Sequence, residues 1–410
     1  MPIRPLLSVA SLVAVALLAA APVGGAAGAS LAWGADLPAW WASSDPDRQA
    51  AIGASTGAGM AWISVDAKTD GADATPGVLL VVRDAHAQGL HVSARFDVFE
   101  DSVAAGLYPA SAIAGGPWVD PACADVRAYE VAQVRQLAAR GIDEIDFDHE
   151  RYPETAEAPA SAALPCSGGH LGDADMTARI TTIATWVRDA ASAARAAAAG
   201  VRVASTIYPQ ALDAAGYVAI GQQASALAPN VDVLRPIIYP TYLGAESQPY
   251  ATVHDWTAKG VAAYGGAKVQ PWIQAFGAYS ARSDIVGQEL KAVGDAGGSG
   301  ALAWWFWSAG TSASFWAQVA SAIGSLPAFT ATFQPVNPTL HWVEVRVDAN
   351  APVVKVVVRI NNNAPVSLAQ NPNGTWSMAI DLHARDRVRF VATSTTGATA
   401  TSSLFRWPQA

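Results

Sequence analysis

The chain alternates short apolar runs with longer Ala-rich stretches over most of its length. The short runs are rich in β-branched and aromatic residues and predict seven strands: Ala61–Asp66, Leu90–Phe96, Ile142–Asp148, Val201–Tyr208, Val231–Tyr239, Val269–Gln274 and Ala301–Trp307. Between them, the stretches 125–140 and 175–199 predict helices, because each runs up to a glycine that favours a helix end. Strands that alternate with helices predict a parallel sheet with right-handed crossovers.

About 300 residues with seven or eight such units fit an α/β fold of the (β/α)8 TIM-barrel type. A doubly wound sheet is the alternative architecture. That architecture is disfavoured because no Gly-rich phosphate loop opens any of the predicted helices.

The pattern changes near residues 328–338, after which almost no helical periodicity remains. The downstream strands are separated by turns rich in Asn and Gly, and they are Trp342–Val347, Val353–Ile360, Trp376–Ile380, Val388–Ser394 and Ser403–Trp407. This predicts a small all-β sandwich, immunoglobulin-like, that can hold carbohydrate or serve as a spacer. The expected organisation is a signal peptide (1–29), a barrel domain (30–328), a linker (329–338) and the sandwich (339–410).

The N-terminus has the pattern of an export signal. Arg4 supplies a positive charge, Leu6–Ala21 is an apolar run, and Ala27–Ala29 is an A-x-A cleavage pattern. The run is too short for a stable transmembrane helix, although an uncleaved anchor is the alternative. We therefore expect an extracellular or periplasmic protein that has no membrane contact after cleavage.

Export gives a role to the two cysteines, Cys123 and Cys166. In an oxidising compartment, an isolated pair predicts a disulfide. No metal site is expected, because the cysteines lack a CxxC spacing and the seven His are scattered, which favours surface or structural roles for them.

Composition narrows the class of partner. The net charge is -9, from 25 basic and 34 acidic residues without any Lys/Arg run, which excludes a nucleic-acid surface. The 15 Trp residues favour a sugar-binding cleft, since sugar C–H faces stack on aromatic rings. We expect a polysaccharide partner and no cofactor, and the sequence does not indicate the oligomeric state.

The segment 141–153 carries the strongest chemical signal. Side chains alternate along a strand, so Asp146, Asp148 and Glu150 are expected to point together into the barrel or its mouth. Stacked acids repel one another, which raises the pKa of at least one and keeps a proton donor available near neutral pH. Glu150 comes last, at the strand end where barrel active sites form.

This spacing, Asp143-x-x-Asp146-x-Asp148-x-Glu150, resembles the DxxDxDxE signature of the chitinase-like glycoside hydrolase family 18. The resemblance implies that Glu150 is the general acid/base, that Asp148 orients a substrate acetamide and that Asp146 supports it. It also implies a retaining mechanism in which the N-acetyl group of an N-acetylhexosamine polymer is the nucleophile.

A broader resemblance runs along most of the predicted barrel. It is carried, in order, by Asp66–Lys68, Ala94-Arg95, Phe99–Asp101, Trp118–Pro121, Gly141–Ile145, Phe147-Asp148, Arg151–Pro153, Tyr239-Pro240, Pro271–Gln274 with Phe276, and Trp304–Trp307. These pieces are similar to the family described as "Putative glycosyl hydrolase domain", a set of uncharacterised TIM barrels. Asp148 is common to both resemblances.

Further candidates for substrate binding lie near predicted strand ends. They are Asp66, Arg95, Arg151, Tyr239, Trp272, Gln274, Trp304 and Trp307. Each also has a structural interpretation: capping or surface duty for Asp66, pairing with a buried acid for Arg95, a solvated loop pair with Glu150 for Arg151, and core packing for the aromatics.

Two functional classes follow. The leading one is a secreted glycoside hydrolase that cleaves a polysaccharide, with Glu150 as general acid/base and Asp148 positioning the nucleophile or stabilising charge. The alternative is a carbohydrate-binding barrel without catalysis, because a fold does not determine function. A polysaccharide deacetylase is a third, weaker interpretation, since no paired His for its metal is visible.

Overall fold

The structure is a computed structural model. It describes residues 31–69, 72–73, 75–174, 176–304, 313–324, 328–335, 340–348, 353–361, 363–371, 375–383, 386–394, 399–401 and 405–406. The predicted signal peptide lies outside these residues. Within the described ranges, no helix combines the length and the apolar character that a bilayer crossing requires.

Eight parallel strands form a closed barrel. They are β1 (Ala32–Leu37), β2 (Trp62–Thr69), β3 (His91–Asp97), β4 (Glu144–Asp148), β5 (Arg202–Ile207), β6 (Val233–Ile238), β7 (Trp272–Gln274) and β8 (Gly300–Trp304). Strand β1 pairs with both β2 and β8, which closes the sheet. The predicted TIM barrel is confirmed, and closure excludes the doubly wound alternative. A two-residue strand, Ala72–Asp73, pairs antiparallel with the end of β2.

Helices follow the strands around the outside of the barrel. They are α1 (Ala39–Ser43), α2 (Asp45–Gly57), α3 (Thr75–His86), α4 (Ser102–Leu107), α5 (Ala124–Ala138), α6 (Thr177–Ala197), α7 (Ala224–Leu227), α8 (Pro249–Tyr264), α9 (Ser283–Asp295) and α10 (Ala313–Gly324). The two helices predicted from glycine stops correspond to α5 and α6, each ending two residues earlier than expected.

Strand β1 is absent from the seven predicted strands. Its sequence, AWGADL, is short and made mostly of small residues, so it lacks the β-branched signal that marks the other strands. Gly34 lies so close to β2 that an added Cβ would stand 2.3 Å from the carbonyl oxygen of Trp62. Small size here allows the first and second strands to approach.

The inward and outward faces of β4 are those that the alternation predicts. Ile145 and Phe147 face the helices, and the Phe147 ring lies 5.0 Å from that of Trp186 on α6. Glu144 and Asp146 face the barrel interior, where both accept hydrogen bonds from Arg235 on β6, at 2.8 and 2.7 Å. Ion pairing at this depth satisfies charges that would otherwise be costly to bury.

The C-terminal segment forms two antiparallel sheets. Their strands are β9 (Ala328–Pro335), β10 (Leu340–Asp348), β11 (Val353–Ile360), β12 (Val366–Ser367), β13 (Ala369–Gln370), β14 (Trp376–Asp381), β15 (Arg387–Ser394), β16 (Thr399–Thr401) and β17 (Phe405–Arg406). One sheet has the order β9-β10-β14-β13, and the other has β12-β11-β15-β16 with β17 also on β15. Val345, Val358 and Phe390 from the two sheets share one core, as a sandwich requires.

The C-terminal module begins earlier than the sequence indicated, and one of its Trp residues lies in its core. Strand β9 occupies most of the segment expected to be a linker, because its alternating residues pair with the whole of β10. Trp376, on β14, is buried in the shared core.

The predicted disulfide between Cys123 and Cys166 is confirmed. Cys123 precedes the first turn of α5, and Cys166 lies in the long loop between β4 and α6. The same loop is fixed by Asp120, whose carboxylate accepts hydrogen bonds from the backbone N–H groups of Cys166 and Ser167, at 2.8 and 2.7 Å.

Candidate active site

An open cavity of about 210 Å³ lies at the C-terminal ends of the barrel strands. In TIM barrels this is the end at which active sites form. The cavity is lined by Arg95, Asp148, His149, Arg151, Thr206, Tyr208, Gln222, Ile237, Tyr239, Tyr242, Trp272, Phe276 and Trp304. Its wall is largely aromatic, and its charged groups come mainly from β3 and from the end of β4.

Arg95, on β3, organises the charged side of the cavity. Its Nε donates to Asp66 Oδ1 at 2.7 Å, and its Nη1 donates to Asp97 Oδ1 at 2.9 Å and to Asp148 Oδ2 at 2.8 Å. The guanidinium carbon lies 4.4 Å from the ring centroid of Trp304, a cation–π distance. Arg95 therefore fixes three carboxylates and one aromatic wall at the same time.

A fourth acid, Asp36 on β1, lies beside this cluster and accepts a hydrogen bond of 2.9 Å from Ser64. Burial, followed by the negative charge of Asp66, raises the pKa of Asp36 well above its usual range. Burial also raises the pKa of Asp66, although Arg95 opposes the shift. Asp36 is thus the member of this acid cluster whose surroundings most clearly favour the neutral form.

Asp148, the last residue of β4, is the carboxylate that reaches the cavity surface. Its Oδ2 accepts from Arg95, and its Oδ1 accepts from the backbone N–H of His149 at 2.8 Å. Both contacts fix the rotamer, and the side chain stays 11% exposed toward the cavity. Asp148 is thus held rigidly where a ligand would touch it.

Glu150 departs from the predicted alternation. His149 has a positive φ of 52°, which ends the extended backbone and turns Glu150 away from the column of Asp146 and Asp148. The Glu150 carboxyl is completely buried. Its Oε1 accepts from Ser205 at 2.6 Å and from Gln222 at 3.4 Å, whereas its Oε2 has no hydrogen-bond partner among the residues that the structure describes.

The environment of Glu150 favours its neutral form. Burial, and then the nearby charge of Asp148, raises the pKa of Glu150 well above its usual range, although the Ser205 hydroxyl acts in the opposite direction. Glu150 does not itself line the cavity, but its neighbour Gln222 does. The carboxylic acid is therefore one side chain removed from the cavity surface.

Asp146 lies beneath the cavity floor. Its Oδ1 accepts from Thr206 at 3.0 Å, and its Oδ2 accepts from Arg235 at 2.7 Å. Burial raises the pKa of Asp146 to about 6, against the effect of Arg235. The Nε1 of Trp272 donates to the same Thr206 hydroxyl at 3.0 Å, so Asp146 supports an aromatic residue of the cavity wall through one intermediate.

His149 is a cavity residue, whereas the sequence favoured surface or structural roles for every histidine. Its Nδ1 lies 3.2 Å from Asp97 Oδ1, and its Nε2 lies 3.2 Å from Glu100 Oε2. Burial lowers the pKa of His149, but Asp148 and Asp97 outweigh burial and raise it overall. The available signal was its position between two candidate acids in the motif.

Arg151, one of the predicted substrate-binding residues, also lines the cavity. It is not a solvated partner of Glu150; both residues are buried, and Arg151 pairs with Glu157 through two hydrogen bonds of 2.7 and 2.8 Å. Its guanidinium carbon lies 4.6 Å from the Trp118 ring and 5.3 Å from the Tyr208 ring. This stacking holds one wall of the cavity in place.

The opposite wall is aromatic. Trp272 and Trp304 meet edge to face at 5.5 Å, and Tyr239, Tyr242 and Phe276 contact one another at 5.1 to 5.7 Å between ring centroids. We call the last three residues the aromatic ridge. Cavity residues that the sequence did not indicate are Thr206, Tyr208, Gln222 and Ile237. Thr206 lies on β5 and Tyr208 follows it, Ile237 lies on β6, and Gln222 lies in a loop; none of them belongs to a recognisable motif.

Three predicted substrate-binding residues have other placements. Asp66 lies behind Arg95 and does not line the cavity. Gln274 accepts from the backbone N–H and the hydroxyl of Thr241, at 3.2 and 2.9 Å, and so fixes the turn after β6. Trp307 lies outside the described residues.

Asp97, Asp148 and His149 bring potential metal-ligand atoms within 4.8 Å of one another. The Arg95 guanidinium already bonds both carboxylates, and its positive charge would repel a divalent cation there. The donor set therefore fits an internal ion-pair network better than a metal centre.

Asp143, the first acid of the DxxDxDxE pattern, lies at the other end of the barrel. Its carboxylate accepts from the backbone N–H of Val92 at 2.7 Å, beside the first residues of β3. It lies 2.8 Å from a ring nitrogen of His86. It takes no part in the cavity, and the resemblance to family 18 is not confirmed by the comparisons below.

Comparison with solved structures supports the fold. An endo-beta-1,4-mannanase from Thermotoga petrophila is similar with 13% identity and a TM-score of 0.53, covering 93% of this chain and 98% of its own. The PgaB (BpsB) glycoside hydrolase domain from Bordetella bronchiseptica is similar with 15% identity and a TM-score of 0.53, covering 67% and 94%. The endo-1,4-beta-mannanase from Rhizomucor miehei is similar with 11% identity and a TM-score of 0.51, covering 67% of this chain and 85% of its own. No curated protein matches the chain.

A family model described as "Putative glycosyl hydrolase domain" matches residues 66–312. The matched segment runs from β2 past the end of β8, so it contains Arg95, Asp148 and most of the cavity lining. This is the broader of the two families that the sequence resembles. The chain belongs to the "Putative glycosyl hydrolase domain" family, and it is a glycoside hydrolase built on a TIM barrel.

Proposed function

We propose that the protein is a secreted glycoside hydrolase that cleaves a polysaccharide in the cavity above β4. The observation that carries the proposal is Asp148, a carboxylate fixed by Arg95 and presented to an aromatic-walled cavity. A carboxylate in this position can stabilise the positive charge that develops on the sugar ring during glycosidic cleavage. Aromatic walls supply apolar surface for the C–H faces of the same sugar.

Glu150 is the proposed general acid/base. Its raised pKa keeps the proton that a leaving glycosidic oxygen requires near neutral pH. No described residue hydrogen-bonds its Oε2, so this oxygen is available to carry the proton that passes to the glycosidic oxygen. Because Gln222 stands between Glu150 and the cavity, transfer requires either a rotation of that side chain or a bridging water.

The stereochemical outcome follows from the nucleophile. If the N-acetyl group of the sugar attacks, one protonated carboxyl and one orienting carboxylate suffice, and the configuration is retained. We propose this retaining reaction, on N-acetylhexosamine polymers, with Asp148 orienting the nucleophile. Asp146 supports the cavity wall from below, because it accepts a hydrogen bond from Thr206, whose hydroxyl in turn holds Trp272.

Export is the second part of the proposal. The apolar N-terminal run with its A-x-A pattern supports cleavage after Ala29, and the Cys123–Cys166 disulfide suits an oxidising compartment. The C-terminal sandwich, from β9 onward, then spaces the barrel or holds polymer outside the cell.

The test is reducing-end release from a panel of N-acetylated, partly deacetylated, neutral and acidic polysaccharides. Wild type should release ends, and Glu150→Gln and Asp148→Asn should lose at least 100-fold in rate, the usual scale for a proton-transfer residue. Glu289→Gln is the matched control, because Glu289 is also buried with a raised pKa but lies on α9, outside the cavity. Its hydrogen bond from the backbone N–H of Gln274 can also be accepted by the amide oxygen of Gln. The Glu289→Gln variant should keep its activity.

Each outcome separates the parts of the proposal. Release from N-acetylated polymers alone supports the substrate-assisted reaction, and release from other glycans keeps the hydrolase but discards that mechanism. Full activity of Glu150→Gln would show that Glu150 is not the general acid/base.

A second candidate function, carbohydrate binding without hydrolysis, is favoured by the complete burial of Glu150. A proton donor behind Gln222 is poorly placed for a substrate that stays at the cavity surface. Binding of glycans by both wild type and Glu150→Gln, without release from any polymer, would establish this alternative.

A further inference from the structure

The side chain of Tyr242 is 74% exposed although it belongs to the aromatic ridge. Water contact over most of an aromatic ring brings no stability to the fold, so a purely structural role does not explain the residue. Its two ridge neighbours are much less exposed. Tyr239 is buried, and Phe276 is half-buried.

This exposed ring is nevertheless fixed. It contacts Tyr239 at 5.7 Å and Phe276 at 5.6 Å between ring centroids, both near edge-to-face. Its backbone N–H donates to the Tyr239 carbonyl at 3.0 Å, and the preceding Thr241 is held twice by Gln274. A ring that is ordered before a ligand arrives loses little conformational entropy when it binds one.

The same ring borders both the cavity and the outer surface. Tyr242 is among the cavity-lining residues, so its ring extends the aromatic wall from the interior to the rim. The cavity floor beside it presents Arg95 and Asp148, which suit a hydroxyl-rich ligand and not a lipid. A chain that occupies the cavity with one sugar would place its next unit against Tyr242.

We propose that Tyr242 is the platform of a second sugar-binding site, at the outer rim of the cavity, that takes the adjacent unit of a glycan chain. This inference rests on the proposed function. The second site would make the protein prefer a substrate of at least two linked sugars to a single sugar. The occupant is a pyranose whose C–H face stacks on the ring, while its neighbour in the chain reaches Asp148. Gln274 acts as a positioning residue for this platform, through Thr241.

The test compares binding of an oligosaccharide series, from one to six units, to wild type, Tyr242→Ala and Tyr242→Phe by isothermal titration calorimetry. The series is drawn from any glycan that the wild type binds or cleaves. Tyr242→Ala should weaken binding of the longer members about tenfold and leave the single sugar unchanged. Tyr242→Phe keeps the stacking face and should bind like wild type.

Equal affinities of wild type and Tyr242→Ala at every length would overturn the inference. An equal loss for one unit and for six would also overturn it, because the ring would then serve only the cavity. Length-dependent loss without hydrolysis of any polymer would uphold the second site and refute the hydrolase, so the two proposals fail separately. Absence of binding to every glycan refutes both.

Discussion

Arg95 is the residue whose replacement should disturb the protein most, because it is the shared partner of three buried carboxylates. Arg95→Met removes the hydrogen bonds to Asp66, Asp97 and Asp148 while keeping most of the side-chain volume. Breaking a buried ion pair by deleting one partner costs about 3–5 kcal/mol, since the other charge is left buried without compensation. We expect a loss of that size in the free energy of unfolding at pH 7.5.

The loss should depend on pH with a definite sign. Burial already raises the pKa values of Asp36 and Asp66 against the effect of Arg95, so without the guanidinium both pKa values rise further above the unfolded value of about 3.9. Groups with raised pKa stabilise the fold at low pH, and that stability is lost as pH rises through the folded pKa. Between pH 7.5 and pH 5, the deficit of Arg95→Met should shrink by about 1–3 kcal/mol as one or two carboxyls take up protons.

The assay is urea unfolding followed by near-UV circular dichroism at both pH values. Arg95→Lys is the control, since it keeps the positive charge but cannot bond the three acids at once, so its deficit should be smaller and less dependent on pH. A free energy of unfolding for Arg95→Met within about 0.5 kcal/mol of wild type at pH 7.5 would refute the reasoning, because that is the size of an ordinary surface substitution. A deficit that grows as pH falls would refute it as well.

Two further outcomes test the framework of the barrel. Replacing Cys123 and Cys166 by Ala should lower the free energy of unfolding by roughly 4 kcal/mol, the chain-entropy value for a separation of 43 residues, and reductant should have the same effect on wild type in urea titrations. Gly34→Ala should lower the free energy of unfolding by about 1–3 kcal/mol, because the added Cβ would press on the Trp62 carbonyl. Gly53→Ala is the control: its added Cβ meets open space on α2, and its free energy of unfolding should stay the same or rise by up to about 1 kcal/mol. Equal melting temperatures of Gly34→Ala and Gly53→Ala would contradict this explanation.

The fold was largely predictable because seven barrel strands carry β-branched runs between Ala-rich helices. Strand β1 escaped prediction because close approach to β2 demands small residues, and small residues carry little strand signal. The loss of β1 also hid Asp36, so one of the four acids around Arg95 was not a candidate. The missed strand thus concealed one member of the acid cluster around Arg95.

The candidate site was predictable as far as β4 remains extended. Alternation placed Asp146 and Asp148 correctly on the inner face, because both precede the turn at His149. Extending the same period one step further placed Glu150 at the cavity mouth, whereas the positive φ of His149 directs it toward Ser205. The positive φ of a residue such as His149 depends on tertiary contacts, and no local pattern in the sequence predicts it.

The Cys123–Cys166 bond has a consequence for resistance to proteases. It closes a covalent ring that contains α5, β4 and Asp148. Within the ring, the stretches 155–157 and 159–161 are exposed, which makes them natural sites for a cut by a peptidase. Because any such cut falls between the two half-cystines, the severed halves remain one molecule. A nicked enzyme would therefore separate into fragments on a gel only after reduction.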